Sequence, residues 1–310
     1  MNTQSNAIPE SGLQSQVAAA ASISATQRMY WSLRRELWEY RSLYIAPLAV
    51  AALFLFGFLI STIHLPNKMR AAFALSQEDQ YKLIEQPYII AAGLIMATTF
   101  IVGLFYCLDA LHGERRDRSI LFWKSLPVSD LTTVLSKVSI PLVVIPLITF
   151  VITLATQWIM LLLSTAMLLG RGVSVATLWT RLPFLSMALM LLYHLLAIHA
   201  LWYAPIYGWL LLVSAWARRA ALLWAVLPPF AIGVVEKMTF NTSYFATMLK
   251  YRFGGGVAGA DFMAGGMYMD PLAQLTPGKF LVTPGLWTGL AIAAAFLAVA
   301  IRLRRYQGPV

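Results

Sequence analysis

His194 and His199 stand together in a long uncharged run of this 310-residue chain. Imidazole can bind a metal, carry a proton, or donate and accept hydrogen bonds. On an α-helix their i,i+5 spacing sets them about 140° apart, which predicts no shared metal site. No His-Glu-x-x-His pattern occurs, and Cys107 is the single cysteine, so no zinc-protease motif or thiolate cluster is available. The expected role of each histidine is a satisfied interhelical hydrogen bond, with contact to a substrate or proton as the rival. Thr98, Thr99, Tyr193 and Tyr203 share these apolar surroundings and complete a set of candidate pathway residues. The threonines are expected to bond back to their own helix, the tyrosines to pack, and Gln157 to pair between helices.

A second group is dense in charge. Residues 112–137 read HGERRDRSILFWKSLPVSDLTTVLSK. Glu114, Arg115, Arg116, Asp117 and Arg118 precede an apolar run, Ile120, Leu121, Phe122 and Trp123, and then a turn, Leu126-Pro127-Val128-Ser129. Glu114 and Arg118 have the spacing of a helical ion pair. Ser119 is a predicted N-cap, Pro127 a stop, and Ser129 or Asp130 the cap of the next helix. A stop-transfer cluster explains the arginines. It does not explain exposed aromatic residues directly after them, which predict a surface for docking another protein.

Catalytic patterns are missing. GGGVAGAD at 254–261 lacks the Lys and Ser/Thr that a phosphate-binding loop requires. No Gly-x-Ser-Gly run and no paired aspartates fall within apolar segments. The chain is therefore read as no enzyme by itself, with no metal or cofactor of its own.

The elements that hold these residues follow from composition. Hydrophobic residues make up 59% of the chain and charged ones 12%. Soluble domains carry roughly 25% charged residues, so a water-soluble enzyme is excluded. Roughly 20 apolar residues cross about 30 Å of hydrocarbon. Six spans are predicted, near 43–63, 87–111, 138–168, 182–215, 220–235 and 284–301. The fourth has a rival division into two shorter spans at Pro205. Pro228-Pro229 should kink the fifth. The fold class is an all-α polytopic membrane protein.

The net charge of +10 is read as cationic loop ends facing lipid headgroups, with no nucleic acid partner. Lys and Arg are denser in the segments around 28–41, 115–137, 218–219 and 302–305. This predicts both termini in the cytoplasm and a multi-pass protein of the cell (inner) membrane. Residues 1–27 are read as a flexible tail and 306–310 as a short C-terminal tail. Over 28–42 a helix is predicted to lie along the lipid interface. Tyr30, Leu33 and Leu37 share its apolar side, Trp31 and Trp38 flank it, and Arg35, Glu36 and Glu39 oppose it. The segment 237–283 is too apolar for a solvated loop, and it is read as short re-entrant or surface helices between glycine hinges.

The pattern resembles the permease subunits of type-2 ABC transporters, the six-span exporter family. The likeness rests on Glu114-Arg115, the apolar run Ser119–Trp123, Leu126-Pro127-Val128-Ser129, the helix before the first span and the long segment before the last. The topological part covers about residues 28–305. The resemblance implies that 112–137 is a cytoplasmic coupling loop that docks on a separate ABC ATPase subunit, present in two copies. It also implies a second permease chain, either a second copy forming a homodimer or a related chain forming a mixed pair, with ATP and Mg bound in the partner ATPase. The function it implies is ATP-driven export of an amphipathic or apolar substrate, such as a lipid, a peptide or a drug-like molecule, by alternating access. The alternative is an ion- or proton-coupled carrier. It needs mid-membrane acids, and Asp109 and Glu236 sit at span ends.

Overall fold

The computed structural model describes residues 24–65, 84–125, 128–172, 174–182, 184–255, 277–306 and 308. Regular structure among them is entirely helical. Six helices are long and apolar enough to cross a membrane.

Helix α1, Ala25–Glu39, starts where Ser24 and Gln27 cap each other's backbone N–H groups, so the expected tail ends a few residues early. The first span is α2, Ser42–Thr62. Helix α3, Gln86–Asp109, is the second, and the short α4, His112–Arg116, prolongs it. After α5, Ser119–Ser125, the third span runs unbroken over 40 residues. It consists of α6, Asp130–Ser139, a π turn, Ile140–Val144, and α7, Ile145–Leu169. At about 1.5 Å per residue it exceeds the thickness of hydrocarbon, as its apolar length predicted.

A short helix, α8 (Ala176–Arg181), leads to the fourth span. That span is α9, Phe184–His194, continued by a second π segment, Leu195–Trp202. The expected single helix 182–215 divides at Tyr203, and α10, Ala204–Trp216, follows as a separate apolar helix. The cause is local. Pro205 has no N–H for the Leu201 carbonyl and its ring crowds that oxygen, and a widened turn just before it relieves the clash. The other π segment stands in the same relation to Pro146.

The fifth span is α11, Ala221–Phe240, which stays helical through Pro228 and Pro229. Helices α12, Tyr244–Phe253, and α13, Pro277–Val282, fall inside the segment read as capping helices; residues 256–276 between them lie outside the described set. The last span is α14, Pro284–Tyr306.

Packing sets the directions. Ala51 of α2, Ile95 of α3 and Ile152 of α7 share a core, and Phe58 meets Tyr88 at 6.3 Å. Helix α10 runs parallel to α14: Gly208 lies against Ala293, and Ala215 and Ala300 share a core. Gly208 suits this close approach, since an added Cβ would sit 3.3 Å from the Ala293 carbonyl oxygen. The beginnings of the first and third spans therefore meet the ends of the second, fourth and last. We call this the charged end.

Candidate functional site

Buried charges gather at the charged end. Glu36, on α1, is fully buried and accepts from Lys137 Nζ at 2.9 Å and from Tyr106 Oη at 2.8 Å. Glu114, on α4, is 3% exposed and lies 2.9 Å from Arg35, 3.1 Å from Lys137 and 2.8 Å from Arg304. Arg304 also reaches Asp130 at 2.7 Å. Three carboxylates face three cations across α1, α4, α6 and α14. A lone buried charge costs several kcal/mol, so the members hold one another in place. Burial pushes the Glu36 carboxyl up, but Lys137 and Arg35 outweigh it and hold the group below its ordinary value of 4.5. Burial pushes the Arg35 guanidinium down, and Glu36, Glu114 and Glu39 outweigh that and raise it.

The sequence placed Arg35 and Glu36 on the polar, outward side of α1. The structure turns that side inward, because the charges find partners there. Leu33 and Leu37 pack against the core edge, while Tyr30, Trp31 and Trp38 are exposed and Arg34 lies 4.6 Å from the Trp38 ring. The expected Glu114–Arg118 pair does not form. Helix α4 ends at Arg116, Arg118 takes a left-handed φ of 57°, and Glu114 is committed elsewhere. Ser119 opens α5 without capping it, and its hydroxyl donates to the Glu114 carbonyl at 3.4 Å. Ser129 does cap α6, accepting from the Thr132 N–H at 3.1 Å.

Arg115 serves the end of α10. It donates to the carbonyls of Ala215 at 2.6 Å and Ala217 at 3.2 Å, and to Gly308 at 3.3 Å. A cation there meets carbonyls that the helix leaves unpaired. Ser214 Oγ accepts from the N–H groups of Leu111 and His112. Arg116 and Asp117 pair on the surface at 3.1 Å.

Helix α5 carries the expected apolar run, divided between two surroundings. Ile120 is buried, Leu121 and Phe122 are 58% and 60% exposed, and Trp123 is half-buried. The Arg35 guanidinium lies 3.9 Å from the Trp123 ring centroid. Lys124 Nζ donates to the Arg305 carbonyl at 3.4 Å. Leu126 and Pro127 lie outside the described residues. The exposed pair on α5 is thus joined through Trp123 and Arg35 to a buried network that touches three spans.

The candidate pathway residues lie farther along the bundle. Thr98 donates to the Leu94 carbonyl and Thr99 to those of Ile95 and Met96. The Gln157 amide donates to the Tyr88 carbonyl at 3.3 Å, as expected of an interhelical pair. Tyr203 donates to the Phe253 carbonyl at 3.0 Å. Tyr193 lies 6.5 Å from Phe280. The histidines depart from expectation in their spacing. In a π segment five residues make about one turn. The rings of His194 and His199 therefore come to 5.8 Å instead of pointing apart. His199 is buried; among the described residues neither ring nitrogen has a partner in full hydrogen-bond geometry, and the Met96 carbonyl of α3 stands beside the ring.

Sequence reasoning missed Asp130, Lys137, Arg304 and Tyr106 as members of one network, and it turned Arg35 and Glu36 the wrong way. One signal was present: Glu36, Glu114 and Asp130 are acids at an otherwise basic end, where each needs a cation. The pairings themselves join residues up to 190 positions apart. Against protein-family models, curated proteins and solved structures, no match to this chain is found.

Proposed function

We propose that this chain is the permease subunit of an ATP-driven exporter of the type-2 ABC kind, working with a separate ATPase at its charged end. The observation that carries the proposal is the connection from Leu121 and Phe122, through Trp123 and Arg35, into the buried ions of α1, α4, α6 and α14. A push on α5 loads Arg35, and Arg35 is tied to the starts or ends of three spans. Two large apolar side chains in water are costly unless another protein covers them. ATP and Mg belong to that partner, which supplies the chemistry of hydrolysis. Helix α1 lies at the lipid interface with Tyr30, Trp31 and Trp38 among the headgroups. The charged end is cytoplasmic, a second copy of the chain completes the pathway, and the cargo is amphipathic or apolar.

The test is copurification of an ATPase lacking spans, followed by substrate-stimulated hydrolysis. Phe122→Ala with Leu121→Ala should lower stimulation at least several-fold and leave the permease folded. Full stimulation in that variant would overturn the docking role. Transport by the purified chain alone, driven by a proton gradient, would favour the carrier reading. Glu114 is unsuitable for the test, because its replacement would take one carboxylate from each of three cations and disturb the whole buried network.

A further inference from the structure

His199 stands in the second π segment, which packs against the first. It is 5% exposed, within an apolar span. Phe100 of α3 lies 5.9 Å from its ring, Tyr203 5.5 Å and His194 5.8 Å. Tyr203 is committed to the Phe253 carbonyl. The Met96 carbonyl of α3 faces the ring as a weak backbone partner, short of full hydrogen-bond geometry, and it also accepts from Thr99 at 3.0 Å. A neutral imidazole has one donor and one acceptor, and leaving either unmet in a dry site is destabilising. Neither is fully met here, and the π geometry that presents them to the same aromatic surroundings is itself less favourable than α.

A metal does not account for this arrangement, since the described residues contain no group of three His, Cys, Asp or Glu side chains. Among the described residues the ring cluster contains no carboxylate or cation, so a charged ligand would enter without a counter-charge. A neutral group that both donates and accepts, borne on a flat apolar body, matches what is present. We infer that His199 binds the neutral hydroxyl-like group of an aromatic amphiphile, held among Phe100, His194 and Tyr203 when span four parts from span two beside the second π segment. This rests on the exporter reading, whose cargo it specifies.

The test uses the full chain in lipid nanodiscs, with no ATPase, and two probes that partition alike into lipid: 1-naphthol and naphthalene. The ring nitrogens of His199 are followed by 15N NMR in histidine-labelled protein. There are only 4 histidines in the chain, and His199→Phe assigns the signal. The expected result is a saturable shift of the His199 resonances with 1-naphthol and none with naphthalene. His199→Gln, which keeps a donor and an acceptor, should retain the preference for naphthol. His199→Phe should weaken naphthol binding by up to roughly tenfold, the worth of a hydrogen bond of about 1.4 kcal/mol. The inference is overturned by equal shifts with both probes, by no shift, or by ring nitrogens already hydrogen-bonded without probe, as a trapped water would make them. Should His199→Phe fail to fold, the probe comparison on the unaltered chain still decides. Failure here leaves the ATPase experiment untouched. Naphthol binding without a copurifying ATPase would keep the site and remove the exporter reading.

Discussion

At the scale of the residue, the chain's behaviour turns on charges that have left water. Removing Lys137 leaves the fully buried Glu36 with Arg35 alone and takes one of three cations from Glu114. Lys137→Ala should cost about 3–5 kcal/mol, a figure typical of breaking a buried pair from one side. Thermal unfolding in detergent measures it. Arg35 and Trp123 form the one ring-to-guanidinium contact between α1 and α5 among the described residues. A double-mutant cycle with Arg35→Lys and Trp123→Leu should give a coupling of about 0.5–2 kcal/mol, since Lys keeps the charge and loses the planar stack. The Glu36 carboxyl titrates lower in the folded chain than its ordinary 4.5, so its contribution is complete above that value and is lost as pH falls through the folded one. The protection of α1 amides, taken relative to their intrinsic exchange rates, should therefore be flat from pH 7 to about 5 and fall in more acid solution; loosening of α1 near neutrality would contradict this.

At the scale of the element, Arg252 ties α12 to the fourth and last spans. Arg252 donates to the carbonyls of Trp202 at 3.2 Å and Gly285 at 2.8 Å, and its guanidinium lies 4.2 Å from the Trp202 ring centroid. The Trp202 indole returns a bond to the Arg252 carbonyl at 2.9 Å. Gly289 makes the notch, because a Cβ there would overlap the Arg252 guanidinium. An arginine can usually swing aside. This one is fixed on two carbonyls and a ring, so moving it costs those contacts. Gly289→Leu should release α12, read as faster proteolysis or amide exchange over Tyr244–Phe253, with the spans retained. In an Arg252→Ala background the same change should add little. Additive effects would show that the notch and the cation do not act together.

At the scale of the whole molecule, both described ends of the chain meet at the charged end: α1 through Glu36 and Lys137, and the C-terminal residues through Arg304 with Asp130 and Gly308 with Arg115. Helix α11 returns from there to the far end, where Glu236 accepts from the N–H groups of Tyr244 and Phe245. In cells, an impermeant thiol reagent should label Thr242→Cys, while Ser129→Cys and Gly308→Cys should both be protected. Labelling of Ser129 and Thr242 from the same side would overturn the crossing pattern.

What the amino-acid order determined by itself is what short-range physics can carry. Apolar runs bounded by charge gave the number of spans and most of their limits, because crossing hydrocarbon demands a fixed length of uncharged helix. Ser129 was legible as a cap, and Thr98 and Thr99 as side chains bonding within their own helix, because each partner lies three or four residues away. The inward turn of Glu36 was not legible. Its partner Lys137 stands 101 positions away, and a helical wheel assigns charges to water unless a counter-charge is known to be near. The pairing of His194 with His199 escaped for another reason. Their separation was read on α geometry, and only the packing beside Pro205 and the first π segment widened the turn that brings the rings together. Tertiary structure thus decided which polar groups are buried and which are satisfied, since those depend on what distant segments deliver to the same place.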